Sequence, residues 1–180
     1  DILIYSKTNL APDSDIKCRL DPYLPQSTQQ FRSEYLPNHF FSSYTEKEYD
    51  IDLIKEKKCT LFSGIGNPKG FEHTVKSLGG LISSHLDFKD HQDYGEQTQK
   101  KLTEFIAAHP ADYIICTEKD WVKLEKYRHQ LPEFYPLNMK LSVEPEFSSW
   151  MKKWIADVTG VDEPIEQKSG YGSTNIVKKG

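Results

Sequence analysis

The sequence predicts an α/β fold: a mostly parallel sheet with helices on both faces, in three α/β/α layers, preceded by an irregular linker. Three observations predict it. Short apolar runs recur at residues 59–62, 81–88, 113–116 and 134–143, as strands in a covered parallel sheet do. The segments between them carry apolar residues three and four apart, the spacing of one helix face. Glycine, proline or charged residues close each run, so strands and helices alternate along the chain.

Taken in order, Ile2–Ser6 is a strand. It starts directly after Asp1, so residues upstream are expected. Pro, Asp, Ser and Gln then recur, as in Ala11-Pro12-Asp13-Ser14-Asp15. Residues 1–50 therefore read as a linker with a short helix at 15–23 and a short strand at 40–44. Cys59-Thr60-Leu61-Phe62 is the first strand of the main unit, and Ser63-Gly64-Ile65-Gly66 turns the chain. Asn67 suits a helix N-cap and Pro68 the first helical position. Phe71, Val75 and Leu78 form that helix's inner face, and Gly79-Gly80 ends it. Alternation along 81–88 puts Ile82, Leu86 and Phe88 on one side. Leu102, Phe105 and Ile106 mark a helix over Glu96–Ala108, and residues 113–116 a buried strand. A short helix with Trp121 and Leu124 and a strand at 134–143 come next. Phe147, Trp150, Met151, Trp154, Ile155 and Val158 form the stripe of a last amphipathic helix, with the tryptophans expected in the core. The boundaries read as 1–56 for the end of one domain and a linker, 57–160 for an α/β domain, and 161–180 for a polar, disordered tail.

Composition narrows the function. The 180 residues carry a net charge of −4 and are 37% hydrophobic, which gives no basic field for general nucleic-acid binding. No apolar run approaches the ~18 residues of a membrane-spanning helix. The three cysteines, Cys18, Cys59 and Cys116, form no Cys-x-x-Cys pair, so no structural zinc site is expected. Wide spacing of free cysteines suits a reducing, cytoplasmic setting.

Three polar motifs fall at strand ends, where parallel sheets gather ligands. The first is Ser63-Gly64-Ile65-Gly66-Asn67-Pro68-Lys69-Gly70-Phe71. Gly64 and Gly66 permit a tight turn, and the helix start at Asn67 can face an anion; a turn that only caps a helix explains the same residues. The second is His85-Leu86-Asp87-Phe88-Lys89-Asp90-His91-Gln92-Asp93-Tyr94. Asp90 and His91 place a carboxylate and an imidazole in one loop, a pair suited to proton transfer. The same loop also reads as a polar helix cap or a metal site, although neighbouring residues on an extended chain point apart. The third is Thr117-Glu118-Lys119-Asp120, whose acids can cap a helix and whose lysine can meet a phosphate or a carboxylate.

Together, Ser-Gly-Ile-Gly-Asn-Pro-x-x-Phe, Asp-His-Gln-x-Tyr and Thr-Glu-Lys-Asp-x-Val-Lys-Leu, at 63–71, 90–94 and 117–124, resemble the carboxy-terminal part of the tetraacyldisaccharide 4′-kinase family. The resemblance covers residues 57–143 and makes the fold Rossmann-like. It implies ATP-dependent phosphorylation of an acylated disaccharide lipid, a lipid A precursor, on the cytoplasmic face of the inner membrane. It also implies that Mg²⁺ and ATP are held mainly by a P-loop in an amino-terminal domain. The sequence contains no Gly-x-x-x-x-Gly-Lys-Ser/Thr, so this chain alone is expected to be inactive. In the family the histidine of Asp90-His91 supports a catalytic aspartate across the domain cleft, while Gly64, Gly66, Asn67, Thr117, Glu118, Lys119 and Asp120 are expected to line that cleft. Two other readings stand beside this one. One is a stand-alone nucleotide-binding module using Asp87 on a ribose; the other is a metal-dependent phosphoesterase built on the Asp/His loop.

Overall fold

The computed structural model describes residues 1–6, 8, 14–90 and 92–160. Two compact units divide the chain, Asp1–Ser142 and Val143–Gly180. The first holds β1 (Ile2–Ser6), α1 (Ser14–Leu20), β2 (Gln29–Phe41), β3 (Glu48–Tyr49), β4 (Lys58–Ser63), α2 (Pro68–Ser77), β5 (Leu81–Asp87), α3 (Glu96–Ala108), β6 (Tyr113–Thr117) and α4 (Glu118–Leu124). Strand β7 (Tyr135–Val143) runs to its boundary, and α5 (Pro145–Thr159) belongs to the second unit.

The strands form one sheet in the order β1-β2-β7-β6-β4-β5, with β3 beside β2. The pairs β1/β2, β4/β5, β4/β6 and β6/β7 are parallel, and β2/β3 is antiparallel. Alternation along the central strands separates two apolar layers. Cys59 and Leu61 of β4 and Ile115 of β6 pack with Phe71 and Val75 of α2. Phe62 of β4 and Cys116 of β6 pack on the other layer, with Leu102 and Ile106 of α3 and Trp121 and Leu124 of α4. Helices therefore cover both faces, and the expected three-layer α/β arrangement is present.

Three details depart from the sequence reading. First, the sheet extends further toward the amino terminus: residues read as linker form the 13-residue β2. Phe41 ends that strand, and Ser42, Ser43 and Tyr44, expected as its continuation, lie beyond it. Second, the β4/β5 register passes from Cys59↔Ile82 to Thr60↔Ser84. Ser83 is thus an extra residue, a bulge whose hydroxyl lies 3.0 Å from Thr60 Oγ1 and donates to the Cys59 carbonyl at 3.2 Å. The bulge inverts the alternation. Ile82 packs with the α2 layer, whereas Leu86 and Phe88 belong to the α3 layer. Third, the tryptophans divide. Trp121 is buried, but Trp154 is 50% exposed and Val158 63%, and α5 has no buried residue. The tail 161–180 lies outside the described residues.

Candidate functional site

The chain leaves β4 through α2 to reach β5 on one side, then returns through α3 to β6 on the other side of β4. The carboxyl ends of β4 and β6 therefore flank a topological switch point, where such sheets bind ligands. Two helix starts meet there. Asn67 caps α2, its side chain accepting from the Gly70 N–H at 3.0 Å, with Pro68 in the first turn. Thr117 caps α4, its hydroxyl oxygen accepting from the Asp120 N–H at 3.3 Å. That pairing is a variant of the capping box, with the acid three residues after the cap.

Asp120 reaches further than a capping acid. Its carboxylate is fully buried. Oδ1 accepts from the Gly64 N–H at 3.1 Å and from the Tyr94 hydroxyl at 2.8 Å; Oδ2 accepts from the Thr117 hydroxyl at 2.6 Å. A buried carboxylate is costly unless it is hydrogen-bonded, and three donors meet this one. Burial, and then the adjacent Asp120, push the Tyr94 phenol far above its ordinary range, so Tyr94 remains a donor. The same two influences raise the Cys116 thiol.

The glycines now have a local explanation. A Cβ at Gly64 would stand 3.2 Å from Asp120 Oδ1, 3.2 Å from Gln92 Cβ and 3.3 Å from the Tyr94 hydroxyl oxygen. A Cβ at Gly66 would stand 3.3 Å from Asp90 Oδ2. Each glycine admits the close approach of a carboxylate. The anion at the Gly64 end of the turn is thus the protein's own, which removes one donor from the dinucleotide reading.

The loop after β5 is tied down at its far end. Tyr94 is 1% exposed and meets Phe88 edge-on at 5.5 Å. Lys123 of α4 donates to the Gln92 carbonyl at 3.3 Å, and the Gln92 N–H to the Lys89 carbonyl at 3.0 Å. His91 lies outside the described residues.

A cleft of about 440 Å³ opens at the switch point. Gly66, Asn67, Thr117, Glu118 and Lys119 line it, whereas Gly64 and Asp120 are not among its lining residues. Glu118 is oriented by Asn138, whose amide donates to it at 2.9 Å. Phe71, Leu137 and Met139 supply an apolar wall, and Tyr35 of β2 closes one side. Tyr35 falls in the stretch that the sequence reads as a linker; the alternation of Phe31, Ser33 and Tyr35 with the charged Arg32 and Glu34 is the signal that marks it as a strand position.

His85, weighed above as a metal ligand, is engaged elsewhere. Its Nε2 lies 2.8 Å from Ser63 Oγ and its Nδ1 2.8 Å from Glu72 Oε1. An ionised Glu72 can only accept, so Nδ1 carries a proton toward it. This hydrogen bond is the main reason the Glu72 carboxyl sits below its ordinary range; burial opposes it, and the charges of His85, Lys76 and Lys69 add smaller lowering effects. Ser63 is fully buried, so the Ser–His–Glu chain pins α2 to β4 and β5 and does not present a nucleophile.

Comparison with known proteins gives a consistent set of relatives. Residues 1–156 match the family model described as LpxK, tetraacyldisaccharide-1-P 4′-kinase. A tetraacyldisaccharide 4′-kinase of Bdellovibrio bacteriovorus is 32% identical over 126 residues, 70% of this chain and 37% of that protein. The one of Aquifex aeolicus is 29% identical over 100 residues, 56% of this chain and 28% of that protein. The chain thus spans well under half the length of these curated relatives. Among solved structures, the crystal structure of "apo" form LpxK from Aquifex aeolicus in complex with ATP superimposes with a TM-score of 0.54 at 23% identity, covering 87% of this chain and 51% of that one. That likeness shows a shared fold.

Proposed function

Because the chain belongs to the tetraacyldisaccharide-1-P 4′-kinase family, we propose that it is the carboxy-terminal part of an ATP-dependent kinase acting on the 4′-hydroxyl of a tetraacyldisaccharide 1-phosphate. One observation carries this reading beyond family membership. The three motifs, far apart in sequence, converge on the switch point between β4 and β6: the glycine turn and 117–120 flank one cleft, and the Asp90 loop is hydrogen-bonded to α4 beside them. On this reading residues 1–56 lead from the nucleotide-binding domain and add β1–β3 to the sheet, and residues 57–160 form the second wall of the active site.

Phosphoryl transfer depends chiefly on positioning and electrostatics. Among the described residues, no cluster of three or more His, Cys, Asp or Glu fits a metal ion. The family resemblance assigns Mg²⁺ and the phosphates of ATP mainly to the amino-terminal half. This chain contributes Asp90, held beside Gly66, and His91 in the same loop. His91 supports, across the cleft, the carboxylate that takes the proton of the sugar hydroxyl. Closure of the two halves excludes water and completes the site. No helix of the described residues is long and apolar enough to cross a membrane. The family resemblance is what supports a peripheral contact of the complete protein with the cytoplasmic face of the inner membrane.

The test is transfer of labelled γ-phosphate from ATP to the acylated disaccharide. The complete protein should catalyse it and the 180-residue chain should not. His91→Ala in the complete protein should lower turnover by about 10²–10⁴-fold, the usual contribution of proton-transfer groups, with an unchanged thermal midpoint. Wild-type turnover in that variant overturns the role of His91.

A further inference from the structure

Asp120 is the one buried carboxylate among the described residues, and nothing in the transfer reaction requires it to touch a substrate. What distinguishes it is the set of segments it joins. Gly64, 56 residues away, starts the turn after β4; Tyr94, 26 residues away, ends the loop after β5; Thr117, three residues away, ends β6. Three successive strands of the sheet therefore send their carboxyl-end connections to a single side chain. One turn later on the same helix, Lys123 holds the Gln92 carbonyl. Helix α4 thus grips the loop at Gln92 and Tyr94, just beyond Asp90 and His91, while the same carboxylate fixes Gly64, two residues before the glycine that faces Asp90.

We infer that Asp120 is a positioning residue: it sets the place of the loop carrying Asp90 relative to the glycine turn and acts on catalysis through that loop. The inference rests on the kinase reading for its catalytic consequence and on the hydrogen bonds alone for its structural one.

The geometry makes an asymmetric prediction about substitutions. In Asp120→Asn the carbonyl oxygen can keep the Gly64 and Tyr94 bonds, and the amide can donate to the Thr117 hydroxyl, which also accepts. In Asp120→Ala all three donors lose their partner. A small displacement of a reacting group costs on the order of a hundredfold in rate. In the complete enzyme, Asp120→Ala should therefore lower kcat by about that factor with KM for both substrates within about threefold of wild type. Asp120→Asn should recover most of the loss, and Tyr94→Phe should fall between them. If Asn is as impaired as Ala, or Ala turns over like wild type, the positioning role is wrong.

Hydrogen exchange on the 180-residue chain separates this from the kinase reading and from failure to fold. Both Asp120→Asn and Tyr94→Phe enter this arm alongside Asp120→Ala. Faster exchange confined to 64–66 and 89–95 in the Ala variant supports positioning; acceleration throughout β4 and β6 means Asp120 merely holds the fold and overturns it. A wild-type complete protein without kinase activity sinks the kinase reading, and the exchange result then decides the role of Asp120 alone.

Discussion

Gly64 and Gly66 look alike in the sequence, yet the structure gives them unequal neighbourhoods. A methyl at Gly64 meets a buried carboxylate, a buried phenol and Gln92. Asp120 and Tyr94 hold each other, and Gln92 is tied to Asp93, Thr98 and Lys123, so none of the three moves freely. At Gly66 the near atoms are those of one carboxylate, Asp90. Gly64→Ala should therefore cost about 1–3 kcal/mol, as overpacking of a tight interior does, and Gly66→Ala clearly less. Urea unfolding of the two variants checks this: equal costs would show that the Asp120 network is not rigid. Local signals were legible at this scale. Asn67 and Pro68 announce a helix start through residues that are chain neighbours. The partners of Asp120 were not, because a carboxylate in a helix's first turn reads as a cap whichever distant donors reach it. The burial of Asp120 behind the cleft, and not within its lining, follows from those distant contacts.

At the scale of the element, legibility followed the strength of the periodic pattern. The helix Glu96–Ala108 appeared with the bounds the sequence suggested, because its apolar spacing is regular and flanking residues mark both ends. Strand β2 was missed because Gln, Arg, Ser and Glu alternate with its apolar residues and Pro37 interrupts it; composition suggests a loop where alternation specifies a strand. The bulge at Ser83 was invisible because it depends on hydroxyl pairing with β4. Helix α2 carries a testable electrostatic feature. Glu72 lies below its ordinary carboxyl range, chiefly through its hydrogen bond with His85. A group whose folded-state value is depressed adds stability above its unfolded value, and that stability is lost as pH falls through the folded value. Wild type should thus exceed Glu72→Gln in urea midpoint at pH 6, and the gap should narrow as pH falls below about 4.3, the unfolded carboxyl range, and close below the depressed folded value. A gap that persists unchanged at pH 3 would mean that Glu72 acts through packing and not through its charge.

At the scale of the whole molecule, the three-layer plan was legible because alternating apolar strands and amphipathic helices admit few other arrangements. The convergence of three motifs at one crevice follows from that plan, since parallel strands place their carboxyl ends together. Whether the two layers are one cooperative unit is a separate matter, and the cysteines report on it. Cys59 lies on the α2 side of the sheet and Cys116 on the α3 side, both fully buried, while Cys18 is exposed. Burial, assisted by Asp112, pushes the Cys59 thiol up to about 11, and Cys116 is raised as well. Thiolate is the reactive form, so both are protected by access and by protonation. In native buffer one thiol, Cys18, should react promptly with a disulfide reagent, and all three should react in denaturant. The intermediate regime is the informative one. The central strands β4 and β6 contribute side chains to both layers, so neither layer can open while the other keeps its strands. Cys59 and Cys116 should therefore become reactive at the same urea concentration, with a common dependence on it, as in an all-or-none transition. Mass spectrometry of pulse-labelled protein reads the two sites separately. If Cys59 labels at a lower urea concentration than Cys116, the α2 layer opens by itself, and the sheet does not bind the two layers into one unit.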